Sequence, residues 1–438
     1  MTYHGGFSGG GGSPSSMAVD YVNGRSLDAF GRLRISNPSL RFSGILDTAD
    51  RSLFWDGLTA VGGTATFQSV SGVFSLSVTT SSGSRVVRQS KEYFDYRAAQ
   101  GQLILQTFTM GTPKTNLTQR VGYFDDDEGI YLEQAGTVVS VNIKSSVTGA
   151  STYETATQAQ WNLDTLDGGG GTGNPSGITL SLAYGQILLI DFQWLSLGRV
   201  RIGFDIDGVI LYIHEFNHAN TAAGNAGLPF LRSPRRPVRY EIFNTGTTAS
   251  VSTLNQICAA VMHEGSEDSP GPVRTVFTAM DNSATTTTTL RGVLGIRLDS
   301  ANRRASLQMI ETVMLNADTD QMTWMLLLNP TWVSGSPTWV ATPGVDSITE
   351  MSRSQLDVVV SAVVGTTGMP NGAGTLVLDG GFVPGGGANS RQVGTMKSDD
   401  TIRAVANYAG VTDEFWLVAR LDTGTGLVMG SMTVKEIR

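Results

Sequence analysis

The feature that most restricts the fold of this chain is a two-residue alternation of apolar and polar side chains, repeated in short bursts along most of its length. 'FSLSVTT', 'SRVVRQSKEYFDY', 'GQLILQTFTM', 'GIYLEQAGTVVSVNI' and 'ITLSLAYGQILLIDFQWL' carry it in the first half, and 'TTTTTLRGVLGIRLD', 'RASLQMIETVMLN' and 'DEFWLVARLD' in the second. A period of two places alternate side chains on opposite faces of a strand, whereas a helix needs a recurrence near 3.6, which no long segment here has. Turn formers punctuate the bursts. Asp207-Gly208, between two alternating segments, is a two-residue hairpin signal because both positions tolerate positive φ. The expectation is an all-β protein of sandwich or jelly-roll type.

At 438 residues the chain exceeds one ordinary core. Residues 1–46 read as an extended Gly/Ser-rich attachment arm, whose sparse apolar anchors Leu27, Phe30, Leu33 and Ile35 suit an interface with a neighbouring subunit. Fully extended at ~3.3 Å per residue, such an arm reaches roughly 150 Å. About a dozen strands fill 47–265, a linker of turn formers and acids covers 266–272, and about eight more strands build a second sandwich over 273–438. The insert 'DGGGGTGNPSG' at 167–177 reads as a mobile loop; it lacks the Gly-Lys-Ser/Thr ending of a phosphate cradle.

Charged residues make up only 16% of the chain, a surface suited to burial against other subunits. The net charge of -8 argues against a nucleic-acid partner, since phosphate contacts need clustered Lys and Arg. Cys258 is the single cysteine, so no internal disulfide forms, and it is expected to pack as a small hydrophobe. The first residues lack a basic and an apolar signal region, and no apolar run nears the ~20 residues of a spanning helix. The expectation is synthesis in the cytoplasm, without a signal peptide and without membrane insertion.

The chemistry-bearing motifs each meet a plainer reading. His214-Glu215-Phe216-Asn217-His218 fits H-E-x-x-H, in which two histidines one helical turn apart hold zinc. Here the flanking 'VILYI' is strand-like, and positions four apart on a strand lie about 13 Å apart, too far to share one ion. Asp205, Asp207, Asp191 and Glu215 are candidates for a glycosidase carboxylate pair, but Asp207 belongs to the hairpin turn. No catalytic residue and no cofactor is assigned, and the chain is expected not to be an enzyme. Asp125, Asp126, Asp127 and Glu128 crowd one turn, where Asp125 and Asp127 are the calcium candidates against a solvated turn. Arg232, Arg235 and Arg236 in 'LRSPRRPVRY' are read as interface residues, and Trp194 and Arg239 as candidate glycan contacts, with core burial the plainer reading of Trp194 and Trp161.

Several stretches in combination resemble a family of virion structural proteins from tailed bacteriophages, with relatives in large double-stranded-DNA viruses. They are 'DAFGRLRISNP', 'LSVTTSSGSRVVRQSKEYFDY', 'QRVGYFDDDEGIYLE', 'DFQWLSLGRVRIGFDIDG', 'HEFNHAN', 'PVRYEI' and 'QICAAVMHEG', covering most of 28–265; 'ASLQMIETVML' and 'WMLLLNP' extend the likeness more weakly. The resemblance implies a lectin-like (concanavalin-like) jelly roll in the first domain and a place on the virion. It also implies attachment to capsid, portal or tail proteins, and self-association, with a trimer the first expectation. 'HEFNH' recurs in that family in a β context. The alternative reading is a host-attachment adhesin that binds surface glycans; the resemblance brings no catalytic residues with it.

Overall fold

The computed structural model describes residues 38–438, apart from 99, 222–226, 266–270, 279–283, 287–288, 318, 363–366, 386–389 and 396–401. The anchors Leu27, Phe30, Leu33 and Ile35 lie outside the described residues.

The first sandwich comprises β1 (Pro38–Ser43), β2 (Trp55–Ala60), β3 (Thr64–Gln68), β4 (Val73–Val78), β5 (Arg85–Ser90), β6 (Gln102–Thr109), β7 (Leu117–Phe124), β8 (Gly129–Ala135), β9 (Val138–Ser145), β10 (Thr152–Thr157), β11 (Gln186–Phe192), β12 (Val200–Ile206), β13 (Val209–Phe216), β14 (Val238–Asn244) and β15 (Ser252–Glu264). One sheet runs β13-β12-β11-β6-β15-β4-β3, with β1 also on β15, and the other runs β10-β9-β8-β7-β14-β5-β2. The central neighbours β6 and β15, and β7 and β14, are far apart in sequence, so long connections cross between the sheets as in a jelly roll. Alternation does the packing: Ile104, Phe108 and Leu254 from one sheet meet Val121, Ile130 and Tyr240 from the other in one apolar core. At Asp207-Gly208 the φ angles are +54° and +79°, and Ile206 pairs with Val209 across the turn. The hairpin forms there because Gly at its second central position is free of the Cβ penalty.

The sequence boundary at residue 46 moves. Pro38–Ser43 pairs antiparallel with the C-terminal half of β15, continuing the edge that β4 occupies further along. Phe42 is buried against Trp55 and Phe94, with ring centroids 5.4 and 5.2 Å away, so this part of the arm belongs to the sandwich. Residues 167–177 also differ from the mobile loop expected. Asp164 accepts from the Leu166 and Ser176 amides, Asp167 accepts from Gly169 N–H and the Asn174 side chain, and Asn174 is itself buried. Local carboxylate acceptors tie the two ends of the loop, while Gly170, Gly171 and Gly173 between them stand exposed.

The second sandwich comprises β16 (Val273–Phe277), β17 (Ala284–Thr286), β18 (Arg291–Leu298), β19 (Ser306–Asn316), β20 (Met322–Leu328), β21 (Val340–Ala341), β22 (Thr349–Ser352), β23 (Leu376–Val383), β24 (Ser390–Thr395), β25 (Glu414–Leu421) and β26 (Gly426–Ile437). Its sheets run β16-β26-β19-β24, with β17 on β26, and β21-β22-β18-β25-β20-β23. Leu307, Met432 and Val434 face Leu294, Trp324 and Leu417 across its core. Among the described residues no helix is long and apolar enough to cross a membrane.

Candidate functional site

The densest charged cluster grows from the turn between β7 and β8. Asp125 Oδ1 accepts from the amides of Asp127 and Glu128, both at 2.9 Å, which closes the turn. Gly129 follows at φ +143°, where an added Cβ would stand 2.3 Å from Phe124 Cα. With its backbone held in this way, the turn aims four carboxylates at different partners. Glu128, fully buried, pairs with the equally buried Arg236 guanidinium and accepts from Arg232 N–H and from Ser146 N–H and O–H. Asp126 receives Arg85 at 2.7 Å and Arg239 at 2.8 Å. Arg304 of the second sandwich reaches Asp125 at 2.9 Å and Asp127 at 2.6 Å. Burial pulls the Asp125, Asp126 and Glu128 carboxyls upward, but the facing guanidinium groups outweigh it and hold all three below the usual carboxylate range.

This geometry replaces the calcium reading. Asp125 and Asp127 share an arginine, and guanidinium groups supply the positive charge that a cation would bring. It also corrects two arginine assignments. Arg236 and Arg239 are buried in the first sandwich, so neither Arg236 as an interface side chain nor Arg239 as a glycan contact survives. Arg239 donates to Gln89 and Asp126 from within the sheet, and Arg232 is exposed while Arg235 is half-buried. Trp194 is half-buried: its indole N–H donates to Leu231 O and its ring meets Tyr96 edge-on, which makes it part of the packing and not an open sugar platform. Trp161 is buried, and Cys258 is half-buried.

The H-E-x-x-H residues lie at the end of β13 with separate partners. His214 Nδ1 accepts from Asn162 N–H, while the His218 ring faces Gly198 O at 2.8 Å and Glu154 at 3.1 Å. Asp191 is buried, accepting from Arg201 at 2.6 Å and from the Tyr212 hydroxyl at 3.0 Å, and Glu215 pairs with Arg199 at 3.4 Å. Asp207 stays in its turn.

The acidic turn also joins the two sandwiches, a role the sequence did not signal. Besides Arg304, Arg403 reaches Glu92 at 2.7 Å, the Tyr408 hydroxyl donates to Asp126 at 2.9 Å, and Tyr408 N–H donates to Asp56 at 2.7 Å. Every acceptor in this set comes from the first sandwich and every donor from the second. Beside it lies a groove of about 360 Å³, lined by Arg232 and Arg235 from one side, Arg303, Arg304 and Arg438 from the other, with Asp127 and Asn302 between. Among the described residues no carboxylate lies within ion-pair distance of Arg232, Arg235 or Arg303. Burial lowers the Arg235 pKa from its ordinary value.

No family model and no curated protein matches the sequence. Among solved structures, similar ones include the Emp47p carbohydrate recognition domain, at 11% identity and TM-score 0.31, covering 52% of this chain and 97% of that one. A legume lectin-like domain from Entamoeba histolytica follows at 10% identity and TM-score 0.28, covering 50% and 95%. A GH43 glycoside hydrolase stands at 11% identity and TM-score 0.32, covering 52% of this chain and 41% of its own length. At these scores the likenesses carry no argument about activity, and the all-β jelly-roll assignment rests on the sheets themselves. They do correct one expectation: with glycoside hydrolases among the similar structures, the exclusion of an enzyme is withdrawn.

Proposed function

We propose that this chain is a structural component of a tailed-phage virion, a surface decoration, fibre or tail-associated protein joined to the particle through its N-terminal arm. The carrying observation is the set of stretches that resemble that family, together with the positions those stretches take in the fold. 'SRVVRQS' supplies Arg85 and Gln89, 'DDDE' the acidic turn, 'PVRYEI' Arg239, and 'DFQWLSLGRVRIG' the Asp191–Arg201 pair. Several of the resembling stretches thus supply internal pairs of the sandwich. On this reading the chain self-associates, as a trimer, through Leu27, Phe30, Leu33, Ile35 and the loop that carries the exposed Arg232 and the half-buried Arg235, and contacts capsid, portal or tail proteins.

Because Pro38–Ser43 is a strand of the sandwich, the test removes residues 1–37 only. The truncated protein is expected to fold with unchanged melting behaviour and to be missing from purified particles; incorporation at the wild-type level sinks the proposal. Immunogold electron microscopy of intact particles then separates shell from tail. A second reading, a host-attachment adhesin that binds surface glycans, is favoured by the arginine-lined groove.

A further inference from the structure

The groove between the sandwiches has a charge balance unlike the rest of the molecule. Five arginines line it, against one lining carboxylate, Asp127, in a chain whose net charge is -8. Long-range electrostatics therefore repel an anion, and a ligand must be recognised at short range within the groove. The arginines are of two kinds. Arg304 is committed to Asp125 and Asp127 and fixes the groove's floor to the acidic turn. Arg232 and Arg303 are exposed, stand on opposite sandwiches, and present guanidinium forks without a carboxylate partner among the described residues. Such forks match the paired oxygens of a carboxylate or sulfate.

The backbone that carries these two forks is anchored on both sides of the groove. Arg232 is held by its own amide on the buried Glu128. Arg303 caps a short turn whose Asp299 carboxylate accepts from Ala301, Asn302 and the Asn302 side chain. Asn302 directs its amide nitrogen to Asp299, which leaves its carbonyl oxygen as an acceptor, and Asp127 adds carboxylate oxygen beside Arg304. Acceptors interleaved with guanidinium groups suit a ligand that carries hydroxyl donors next to its anionic group. A phosphodiester chain offers few such donors and meets Asp127 as a like charge. Among the described residues the lining also has no aromatic ring on which a base would stack. A sugar ring with one acidic substituent has both parts, and the groove volume of about 360 Å³ accommodates it.

We propose that this inter-sandwich groove binds an acidic sugar within a polysaccharide, with Arg232 and Arg303 gripping its carboxylate or sulfate and Asp127 and Asn302 accepting from its hydroxyls. The proposal names the ligand class for the glycan-binding reading and rests on it, and it does not depend on the virion assignment. Both sandwiches contribute, so the site depends on the contacts that join them, those of Arg304, Arg403 and Tyr408.

The test is affinity electrophoresis of the full chain in gels containing polygalacturonate, dextran sulfate, neutral dextran or poly-glutamate, at about 0.1 M salt, where exposed charges more than ~10 Å apart are screened. Retardation is expected in polygalacturonate or dextran sulfate, whichever carries the matching anion, with neutral dextran and poly-glutamate inert. The double variant R232Q/R303Q is expected to weaken that binding at least tenfold without moving the melting temperature. The charge-matched control R51Q/R353Q keeps wild-type binding. Equal retardation by poly-glutamate overturns the sugar assignment in favour of an acidic peptide. Binding to neutral dextran alone overturns the acidic class but leaves the glycan reading standing. Binding that R232Q/R303Q leaves intact, or no binding in any gel, overturns the groove as the site.

Discussion

The interiors of the two sandwiches and the junction between them are built on opposite principles. Each interior is a continuous apolar cluster, with Phe108, Ile104 and Tyr240 in one and Trp324, Leu417 and Met432 in the other, all fully buried. The junction is a row of carboxylates from the first sandwich meeting arginine and tyrosine donors from the second. Apolar burial is non-directional, whereas an ion pair is directional and responds to salt and pH to the degree that its charges are exposed. Each sandwich should therefore be the robust unit, and their mutual orientation the part that responds to conditions.

The severest challenge to that contrast is a cavity in one core. Trp324→Ala is expected to cost about 3–5 kcal/mol in urea unfolding, with the first sandwich's own transition unmoved. A concerted loss of both transitions would show that the junction couples them more strongly than its polar make-up implies. The exception inside the first sandwich comes next. Glu128 and Arg236 are a fully buried pair, and Arg236→Met leaves a buried carboxylate without its guanidinium, an expected loss of about 3 kcal/mol, the low end for breaking such a pair. A loss below about 1 kcal/mol would put the pair with surface bridges.

A titration sharpens the same comparison. His263 is buried on β15, and burial lowers its pKa to about 4 from an ordinary 6.5. The unfolded chain then takes up a proton before the folded one as pH falls. Stability is therefore lost progressively from about pH 6.5 down to about 4 and is flat with respect to this group below that, in total by roughly 3 kcal/mol. Glu92 and Asp413, whose pKa values burial raises, act in the opposite sense at the acid end, so the readout is the difference between wild type and His263→Phe. Parallel pH–stability curves for the two proteins would sink the assignment. The smallest effect belongs to the junction: Arg304→Gln leaves Asp125 facing Arg236 at 3.8 Å and accepting from two backbone amides, so it should cost only about 1–2 kcal/mol and be visible chiefly as a broader distance distribution in small-angle scattering. An unchanged distribution at low and high salt would mean that apolar contacts, not the clamp, set the orientation.

Legibility in the sequence followed the range of the interaction. The acidic turn was conspicuous as letters, but its meaning was not, because Asp126 meets Arg85, Arg239 and Tyr408, residues 41, 113 and 282 positions away. Arg236 and Arg239 looked like a surface loop because arginine is seldom fully buried; only the matching acids in the turn between β7 and β8 make that burial tolerable. The strand expected around His214 was legible without coordinates, because the alternation of 'VILYI' is a property of neighbouring residues, and β13 runs Val209–Phe216.

What the sequence determined by itself was therefore local: the period of two and the Asp207-Gly208 hairpin, both set by neighbours in the chain and by the geometry of a single strand. The tertiary structure alone decided which strands became neighbours, that Pro38–Ser43 joins the sandwich edge, which charges neutralise one another, and that Arg232 and Arg303 from different sandwiches face one groove. The physical reason is that backbone alternation is fixed by steric preferences within a few residues. Charge pairing instead requires partners brought within about 4 Å by sheets whose order no local signal encodes.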